Sequence, residues 1–317
     1  MKRDNSLQVH YNERLVGTLA MTAGRKIAFL YSKSWIEKGF SISPFSLPLK
    51  DQVFIPTKDY FQGLFGVFAD SLPDGWGNLL LNRLLRSHKQ NPDDLTVTSG
   101  GARPKIMTSI DGGQWIIKFP AHVDGENAGK MEYDYSCCAR QCGIIMSETR
   151  LFPSEKCEGY FGTKRFDRAV DTRGEKKIHM LTAAALLELD FEQPSMDYHG
   201  LMKLTKILTN NNEMDLENMF RRMCFNVFAH NRDDHSKNFT FLYDEENDSW
   251  RLSPAYDLTY SNTYYGEHTT AVDGNGRNPG EKEILAVGIA AGMNKEKCLD
   301  IMKGIEANVK ERLGEYL

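Results

Sequence analysis

A short polar stretch of the chain, NRDDHSKNF at residues 231–239, holds several side chains that can do chemistry. Asp233 and Asn238 are five residues apart, and a further acid, Asp257, follows in the stretch SPAYDL. Phosphoryl transfer needs a carboxylate that orients the attacking hydroxyl and accepts its proton, and oxygen ligands that hold Mg²⁺ against the phosphates. We therefore predict Asp233 as the catalytic base, and Asn238 and Asp257 as Mg²⁺ ligands.

His235 and Lys237 lie between Asp233 and Asn238, and each has two interpretations. Lys237 either neutralises charge on the transferred phosphoryl group or is a solvated loop lysine. His235 either orients Asp233 through a hydrogen bond, which we favour, or is a metal ligand in a hydrolase site. That alternative is a metal-dependent phosphohydrolase with the ligands Asp233, Asp234, His235 and Asp257. It lacks a second histidine at ligand spacing.

A lysine and a glutamate upstream fit the same chemistry. Strand-forming residues in QWIIKFP place Lys118 near the end of a strand. The stretch MEYDYSCCARQCG reads as a helix closed by Gly143, with Glu132 in its first turn. In kinases, a helix glutamate that fixes a strand lysine holds the ammonium group on the α- and β-phosphates of ATP. A surface salt bridge is the alternative for this pair.

The elements around the polar stretch must deliver it from the protein core. Before it, MDLENMFRRMCFNVFAH has an apolar side that predicts a buried helix. After it, FTFLY and WRL predict a hairpin that precedes Asp257. This order of elements, with the spacing from Asp233 to Asn238, matches the catalytic loop and metal site of protein kinases. A solvated loop without chemistry is the alternative.

The remaining sequence predicts a mixture of strands and helices. Residues 7–31 alternate as strands and predict a small β-rich unit. The N-terminal part, residues 1–55, carries no acid, base or metal constellation, so we expect it to serve partner docking or lobe stability. From Thr57 the apolar spacing predicts a helix, and SLPDGWGNLLLNRLL predicts a second one. The C-terminal part ends in an amphipathic helix with the apolar residues Met302, Ile305, Val309 and Leu313.

Composition excludes several classes of protein. The 317 residues are 41% hydrophobic, which suits a globular chain, and the net charge of -4 gives no surface for direct binding of nucleic acid. No stretch approaches the ~18 apolar residues of a membrane span, and the charged N-terminal stretch has no apolar h-region, so we expect neither secretion nor membrane insertion. Six cysteines without a C-x-x-C pair indicate reduced thiols. We expect a cytoplasmic protein that does not bind membranes.

Several stretches, in order along the chain through residue 261, resemble the HipA family of serine/threonine kinases, the toxins of bacterial toxin–antitoxin pairs. The matching stretches are LPDGWGNLLLNRL, SGGARPK, WIIKFP, EYDY, KRFDR, NRDDHSKNF and SPAYDLTYS. The resemblance implies an α+β, two-lobed kinase fold with a small β-rich N-terminal unit and a mostly helical C-terminal lobe. The expected units are 1–92 with supporting helices, 93–177 as the kinase N-lobe, and 178–317 as the C-lobe.

The resemblance also implies ATP and Mg²⁺ as cofactors, with Lys118 on the ATP phosphates. Gly100 and Gly101 then belong to a glycine loop over the nucleotide, and the backbone from His179 to Leu181 is the adenine hinge. Arg165, Asp167 and Arg168 of KRFDR are expected to form a structural ion network rather than substrate contacts.

In the family, a serine before the glycine loop is the site of self-phosphorylation. This chain has Thr98 at that place and Ser99 in the following spacer, so either hydroxyl could serve. The expected function is phosphorylation of a cellular protein, with an aminoacyl-tRNA synthetase as one candidate, under control of a separately encoded DNA-binding antitoxin. The alternative is a catalytically quiet kinase-fold module that binds such an antitoxin.

Overall fold

The N-terminal unit is built on an antiparallel sheet. The computed structural model describes residues 6–72, 104–121, 124–171, 174–190, 195–263 and 265–317. The sheet strands are β1 (Ser6–Tyr11), β2 (Arg14–Met21) and β3 (Ile27–Tyr31), which confirms the predicted alternation. Two short helices follow, α1 (Lys33–Lys38) and α2 (Gly66–Ala69). α2 packs so closely on the C-lobe that a Cβ atom at Gly66 would lie 2.5 Å from the carbonyl oxygen of Ala185.

The helix predicted from Thr57 is wrong. Residues 57–65 form turns, and Gln62 and Gly63 have φ angles of 53° and 82°. A right-handed helix cannot contain two residues in that conformation, so helical structure starts only at Gly66 in α2, and Tyr60 of the predicted apolar face is 53% exposed. The second predicted helix and the glycine loop lie outside the described residues.

The N-lobe is a four-stranded antiparallel sheet with one helix. Its elements are β4 (Lys105–Ile110), β5 (Gly113–Lys118), α3 (Ala128–Gln141), β6 (Thr149–Phe152) and β7 (Tyr160–Lys164), with the strand order β4-β5-β7-β6. Lys118 ends its strand as predicted. Gly143, with φ 75°, follows the helix as predicted. Glu132 lies in the second helical turn and not in the first, because α3 begins at Ala128.

The C-lobe begins after a hairpin and is mostly helical. The hairpin strands are β8 (Arg168–Asp171) and β9 (Gly174–Lys177). The lobe contains β10 (Met180–Thr182), α4 (Ala183–Leu187), β11 (Met196–Asp197), α5 (Tyr198–Leu208), α6 (Glu213–Phe228), β12 (Thr240–Asp244), β13 (Ser249–Leu252), β14 (Thr270–Ala271), α7 (Glu281–Ala290) and α8 (Lys295–Leu313). Strands β10, β12 and β13 form an antiparallel sheet, and β11 pairs with β14 in parallel.

The predicted buried helix is α6, which packs against α5, α7 and α8. Met219, Phe220 and Met223 on this helix have no exposed surface, so the helix leads out of the core directly into the polar loop. The apolar residues predicted on the last helix are buried as well. None of the six cysteines forms a disulfide. Among the described helices, none has the length and apolar character needed to cross a membrane.

Candidate active site

Lys118 lies at the junction of the two lobes, between two carboxylates. Its Nζ is 2.6 Å from Oε1 of Glu132 on α3 and also contacts Oδ1 of Asp257 in the C-lobe. Glu132 is 4% exposed, so this is not a solvated surface pair. Burial favours the neutral amine, but the charges of Asp257 and Glu132 outweigh it and raise the pKa of Lys118 above its ordinary value. The lysine is therefore held as a cation.

Asp257 presents an ionised carboxylate to this junction. Loss of surrounding water acts to raise its pKa, but the charge and hydrogen bond of Lys118 lower the pKa of Asp257 below its usual range. The side chain is 47% exposed. Its backbone is left-handed, with φ 52°, a conformation that aspartate tolerates better than most residues. This turn directs the carboxylate toward the N-lobe.

The polar stretch forms a tight loop closed by its own asparagine. Nδ2 of Asn238 donates to the carbonyl oxygen of Asp233 at 2.7 Å, and residues Ser236–Asn238 form a 3-10 turn. The Asp233 side chain is 60% exposed. An exposed carboxylate on a backbone pinned by Asn238 can accept a proton from an approaching hydroxyl group.

His235 lies beside Asp233 without a direct hydrogen bond to it. The distance from Nε2 of His235 to Oδ1 of Asp233 is 3.8 Å. Nδ1 of His235 accepts the backbone N–H of Lys237 at 3.3 Å, so the proton of the neutral ring is on Nε2, the nitrogen that faces Asp233. The predicted orienting hydrogen bond would require the ring of His235 and the carboxylate of Asp233 to approach each other by about 1 Å.

Tyr256, which sequence reasoning missed, ties the loop to the segment of Asp257. Its hydroxyl donates to the carbonyl oxygen of Lys237 at 2.5 Å and lies 2.5 Å from Oγ1 of Thr240. Burial raises the pKa of Tyr256, so the hydroxyl stays protonated as a donor. The only sequence signal was its position directly before Asp257.

Asp234 is the acid next to Asp233, and the sequence alone did not distinguish the roles of these two residues. It is 1% exposed, and its carboxylate accepts hydrogen bonds from Tyr198, His268 and the backbone of Thr270. The two neighbouring acids therefore have opposite environments, with Asp233 outside and Asp234 inside. These protein donors engage the carboxylate that the phosphohydrolase alternative would need as a metal ligand.

The predicted adenine hinge lies at the contact with the N-terminal unit. The backbone N–H of His179 donates to the Tyr11 hydroxyl at 3.2 Å, and its carbonyl oxygen accepts from Tyr243 at 2.9 Å. Nε2 of His179 donates to the carbonyl oxygen of Ile42 at 2.8 Å. The Leu181 side chain is buried at 1% exposure. Protein partners thus use both backbone groups of His179, and the adenine contact stays a prediction.

Asp70, at the end of α2, holds the other end of β10. Its carboxylate accepts from the backbone N–H of Thr182 at 2.8 Å and from the Thr182 hydroxyl at 3.0 Å. Burial raises the pKa of Asp70, while the Thr182 hydrogen bonds and the charge of Lys237 act against that rise. No sequence pattern predicts this contact, because Asp70 and Thr182 are 112 residues apart in the chain.

The KRFDR stretch forms an ion network within itself. Arg165 binds Asp167 with two hydrogen bonds, of 2.8 and 2.6 Å, and Arg168 contacts the same carboxylate. Phe166 lies against Tyr256, with the ring centroids 5.6 Å apart. This arrangement agrees with the predicted structural network and places it against the Asp257 segment. Thr98, Ser99, Gly100 and Gly101 lie outside the described residues.

The donor chemistry of Asn238 and Asp257 fits a magnesium ion. Within the described ranges there is no group of three or more His, Cys, Asp or Glu side chains that could hold a metal. Mg²⁺ is usually held by one or two protein oxygens together with waters and substrate phosphates. An ionised, partly exposed Asp257 and the amide oxygen of Asn238 meet that requirement, and Tyr256 joins their two segments.

Comparison with known proteins places this site in a family context. The family model of the HipA-like C-terminal domain matches residues 97–313, and that of the HipA N-terminal domain matches residues 7–98. The chain is similar in fold to Shewanella oneidensis MR-1 HipA, solved in complex with HipB and operator DNA. The TM-score is 0.70 at 16% identity, over 98% of this chain and 90% of that one. The predicted α+β, two-lobed fold is thereby confirmed.

Two further similarities are more distant or more partial. The Sinorhizobium fredii protein named "Putative kinase Y4dM" is 27% identical over 176 residues, which is 51% of this chain and 41% of that protein. The chain thus matches less than half of this relative's length. The Helicobacter pylori proinflammatory kinase CtkA aligns with a TM-score of 0.42 at 14% identity, over 67% of this chain and 88% of that one.

Proposed function

Because the chain belongs to the HipA family, we propose that it is an ATP- and Mg²⁺-dependent protein serine/threonine kinase and the toxin of a toxin–antitoxin pair. The observation that carries the proposal is the position of Lys118 between Glu132 and Asp257. A kinase uses such a lysine to bind ATP phosphates and such an aspartate to bind the metal. The contact therefore supports a nucleotide site at the lobe junction.

The residues of the site divide the tasks of the reaction in this proposal. Lys118, held by Glu132, binds the ATP phosphates, and Asp233 orients the substrate hydroxyl and accepts its proton. Asn238 keeps the backbone of Asp233 in place through its amide N–H group. Mg²⁺, when bound by Asn238 and Asp257, would supply positive charge against the phosphates. Lys237, which is part of the loop, would neutralise charge on the transferred phosphoryl group.

Two substitutions test separately the role of Asp233 in proton transfer and the role of Asp257 in metal binding. Asp233→Asn should lower phosphoryl transfer by roughly 100- to 10,000-fold, the range for loss of a general base, while nucleotide affinity is largely kept. Asp257→Asn should abolish transfer and also weaken Mg²⁺-dependent nucleotide binding. Asp300→Asn, on the exposed face of α8, is the matched control and should change neither property.

Transfer is measured with labelled ATP, and binding by calorimetry with and without Mg²⁺. An equal loss of nucleotide affinity in the Asp233 and Asp257 variants would contradict the assignment of roles. If the unmodified protein neither binds Mg-ATP nor labels any protein, the proposal fails and a catalytically quiet interaction module becomes the better explanation.

The substrate and the antitoxin are further parts of the proposal. Labelled ATP, a cell lysate and mass spectrometry of the labelled proteins would identify the substrate, for which an aminoacyl-tRNA synthetase is one candidate. Since the similar Shewanella HipA was solved with HipB and operator DNA, we expect a separately encoded DNA-binding partner here. Co-expression with such a protein should give a complex on size exclusion, and two separate peaks would argue against it.

A further inference from the structure

Asp234 lies at the centre of a buried hydrogen-bond network beneath the candidate catalytic loop. Its Oδ2 accepts the hydroxyl of Tyr198 at 2.8 Å and lies 3.1 Å from Nδ1 of His268. Its Oδ1 accepts the backbone N–H of Thr270 at 3.0 Å. Because a carboxylate oxygen is a hydrogen-bond acceptor, Nδ1 of His268 is assigned as the donor in this contact. His268 is 7% exposed and Tyr198 has no exposed surface.

The network continues from Tyr198 to the start of the loop. Nδ2 of Asn226 donates to the Tyr198 hydroxyl at 2.9 Å, and Nδ2 of Asn231 donates to Oδ1 of Asn226, also at 2.9 Å. Both asparagines are 2% exposed. The chain of bonds thus connects α5, α6 and the first residue of the polar stretch.

The segment around Thr270 holds the loop backbone as well. The hydroxyl of Thr270 donates to the carbonyl oxygen of Asp234, and both the N–H and the hydroxyl of Thr269 donate to the carbonyl oxygen of Arg232, at 3.0 Å each. The backbone is therefore fixed on both sides of Asp233, at residues 232 and 234. These bonds restrict the backbone on which Asp233 lies.

We propose that Asp234 is a positioning residue that holds Asp233 in its outward orientation, an inference that rests on the proposed kinase function. Asp234 is 1% exposed whereas the Asp233 side chain is 60% exposed, so the two neighbouring side chains point to opposite sides of the backbone. The three donors bind Asp234 inside, and Asp233 consequently faces the substrate side. Only a carboxylate can accept all three donors, because an amide in its place would direct an N–H group at one of them.

The test compares variants that do and do not keep the network. Asp234→Asn should lower kcat by roughly 10- to 100-fold, since a displacement of about 1 Å of a reacting group has an effect of this size, with the KM for ATP changed less than about twofold. His268→Leu removes a donor and should behave similarly. His268→Asn can restore a donor near the Nδ1 position and should recover most of kcat.

A matched control separates positioning from general stability. Asp215→Asn removes another buried carboxylate of the same lobe, which pairs with Arg251 at 2.7 Å at the start of α6. It should lower the melting temperature while kcat is unchanged. If it lowers kcat as much as Asp234→Asn does at a similar loss of stability, or if His268→Asn recovers no more than His268→Leu, the positioning role is refuted.

Amide hydrogen exchange provides a readout that does not need activity. In Asp234→Asn, exchange in residues 231–238 should increase, while exchange in α6 stays unchanged. Absence of phosphoryl transfer in the unmodified protein would overturn the proposed function, whereas unchanged exchange in residues 231–238 of the variant would overturn the positioning role itself.

Discussion

The contact between His179 and the N-terminal unit should make the stability of the fold depend on pH. The ring of His179 lies against Phe40 and Trp250, with centroid distances of 5.5 and 5.4 Å, and burial lowers its pKa from 6.5 to about 4. In the unfolded chain the ring binds a proton below about pH 6.5, but in the folded protein it binds one only near pH 4. Stability from the neutral ring is therefore complete above the unfolded pKa and lost as the pH falls toward 4.

The magnitude follows from the two pKa values. A pKa difference of this size lowers the free energy of unfolding by about 1–2 kcal/mol at about pH 5 and by almost nothing at about pH 7.5. The lower end of this range allows for some solvent contact of the ring, which weakens the cost of burying its charged form. His179→Gln keeps a donor for the carbonyl oxygen of Ile42 but cannot be protonated. The variant should be less stable at neutral pH, and it should lose about 1–2 kcal/mol less than the unmodified protein on acidification.

Urea denaturation at the two pH values measures these differences, provided that the slope of unfolding is the same in both proteins. His10→Gln, at an exposed position on β1, is the control and should show the pH dependence of the unmodified protein. Equal losses in His179→Gln and the unmodified protein would refute the reasoning, because the ring would then not be buried as a neutral group.

Two other predictions concern the lysine and the glycine loop. Glu132→Gln keeps a hydrogen-bond acceptor for Lys118 but removes a buried charge, so it should weaken Mg-ATP affinity by roughly tenfold, about 1.4 kcal/mol, as measured by calorimetry; unchanged affinity would show that Asp257 alone fixes the lysine. Self-phosphorylation is expected at Thr98 or at Ser99 and should lower ATP affinity, because a phosphate adds roughly -1.5 to -2 charges beside the ATP phosphates. Fragment mass spectra after incubation with ATP, with Asp233→Asn as the inactive control, would locate it, and phosphate found only elsewhere would contradict the prediction.

The sequence was informative where a periodic element carries a reactive side chain at its end. Lys118 follows a run of strand-forming residues, and the loop after α6 follows a long apolar helical side, so both positions were predictable. The start of α3 was not, because its N-cap residue Asn127 makes no side-chain capping bond and the first turn has no acid. The sequence pattern therefore predicts a later start of the helix, which puts Glu132 in the first turn instead of the second.

Contacts between distant parts of the chain were beyond the reach of the sequence. Asp233 and Asp234 are identical in type and adjacent, so composition and spacing could not say which of them points inward. The answer depends on His268 and Thr270, which are 34 and 36 residues away from Asp234 and belong to no recognisable motif. The same holds for Asp70, whose partner Thr182 is 112 residues away.

The N-terminal unit contacts the predicted adenine hinge at both ends of β10. Tyr11 binds the N–H group of His179 just before this strand, and Asp70 binds the N–H and hydroxyl groups of Thr182 at its last residue. The sequence predicted a unit for docking or stability, separate from the chemistry, because it carries no catalytic side chains. Its hydrogen bonds nevertheless fix the backbone of the strand on which the hinge lies. A movement of this unit would therefore displace β10 directly, so the proposed docking unit and the proposed nucleotide site share one structural element.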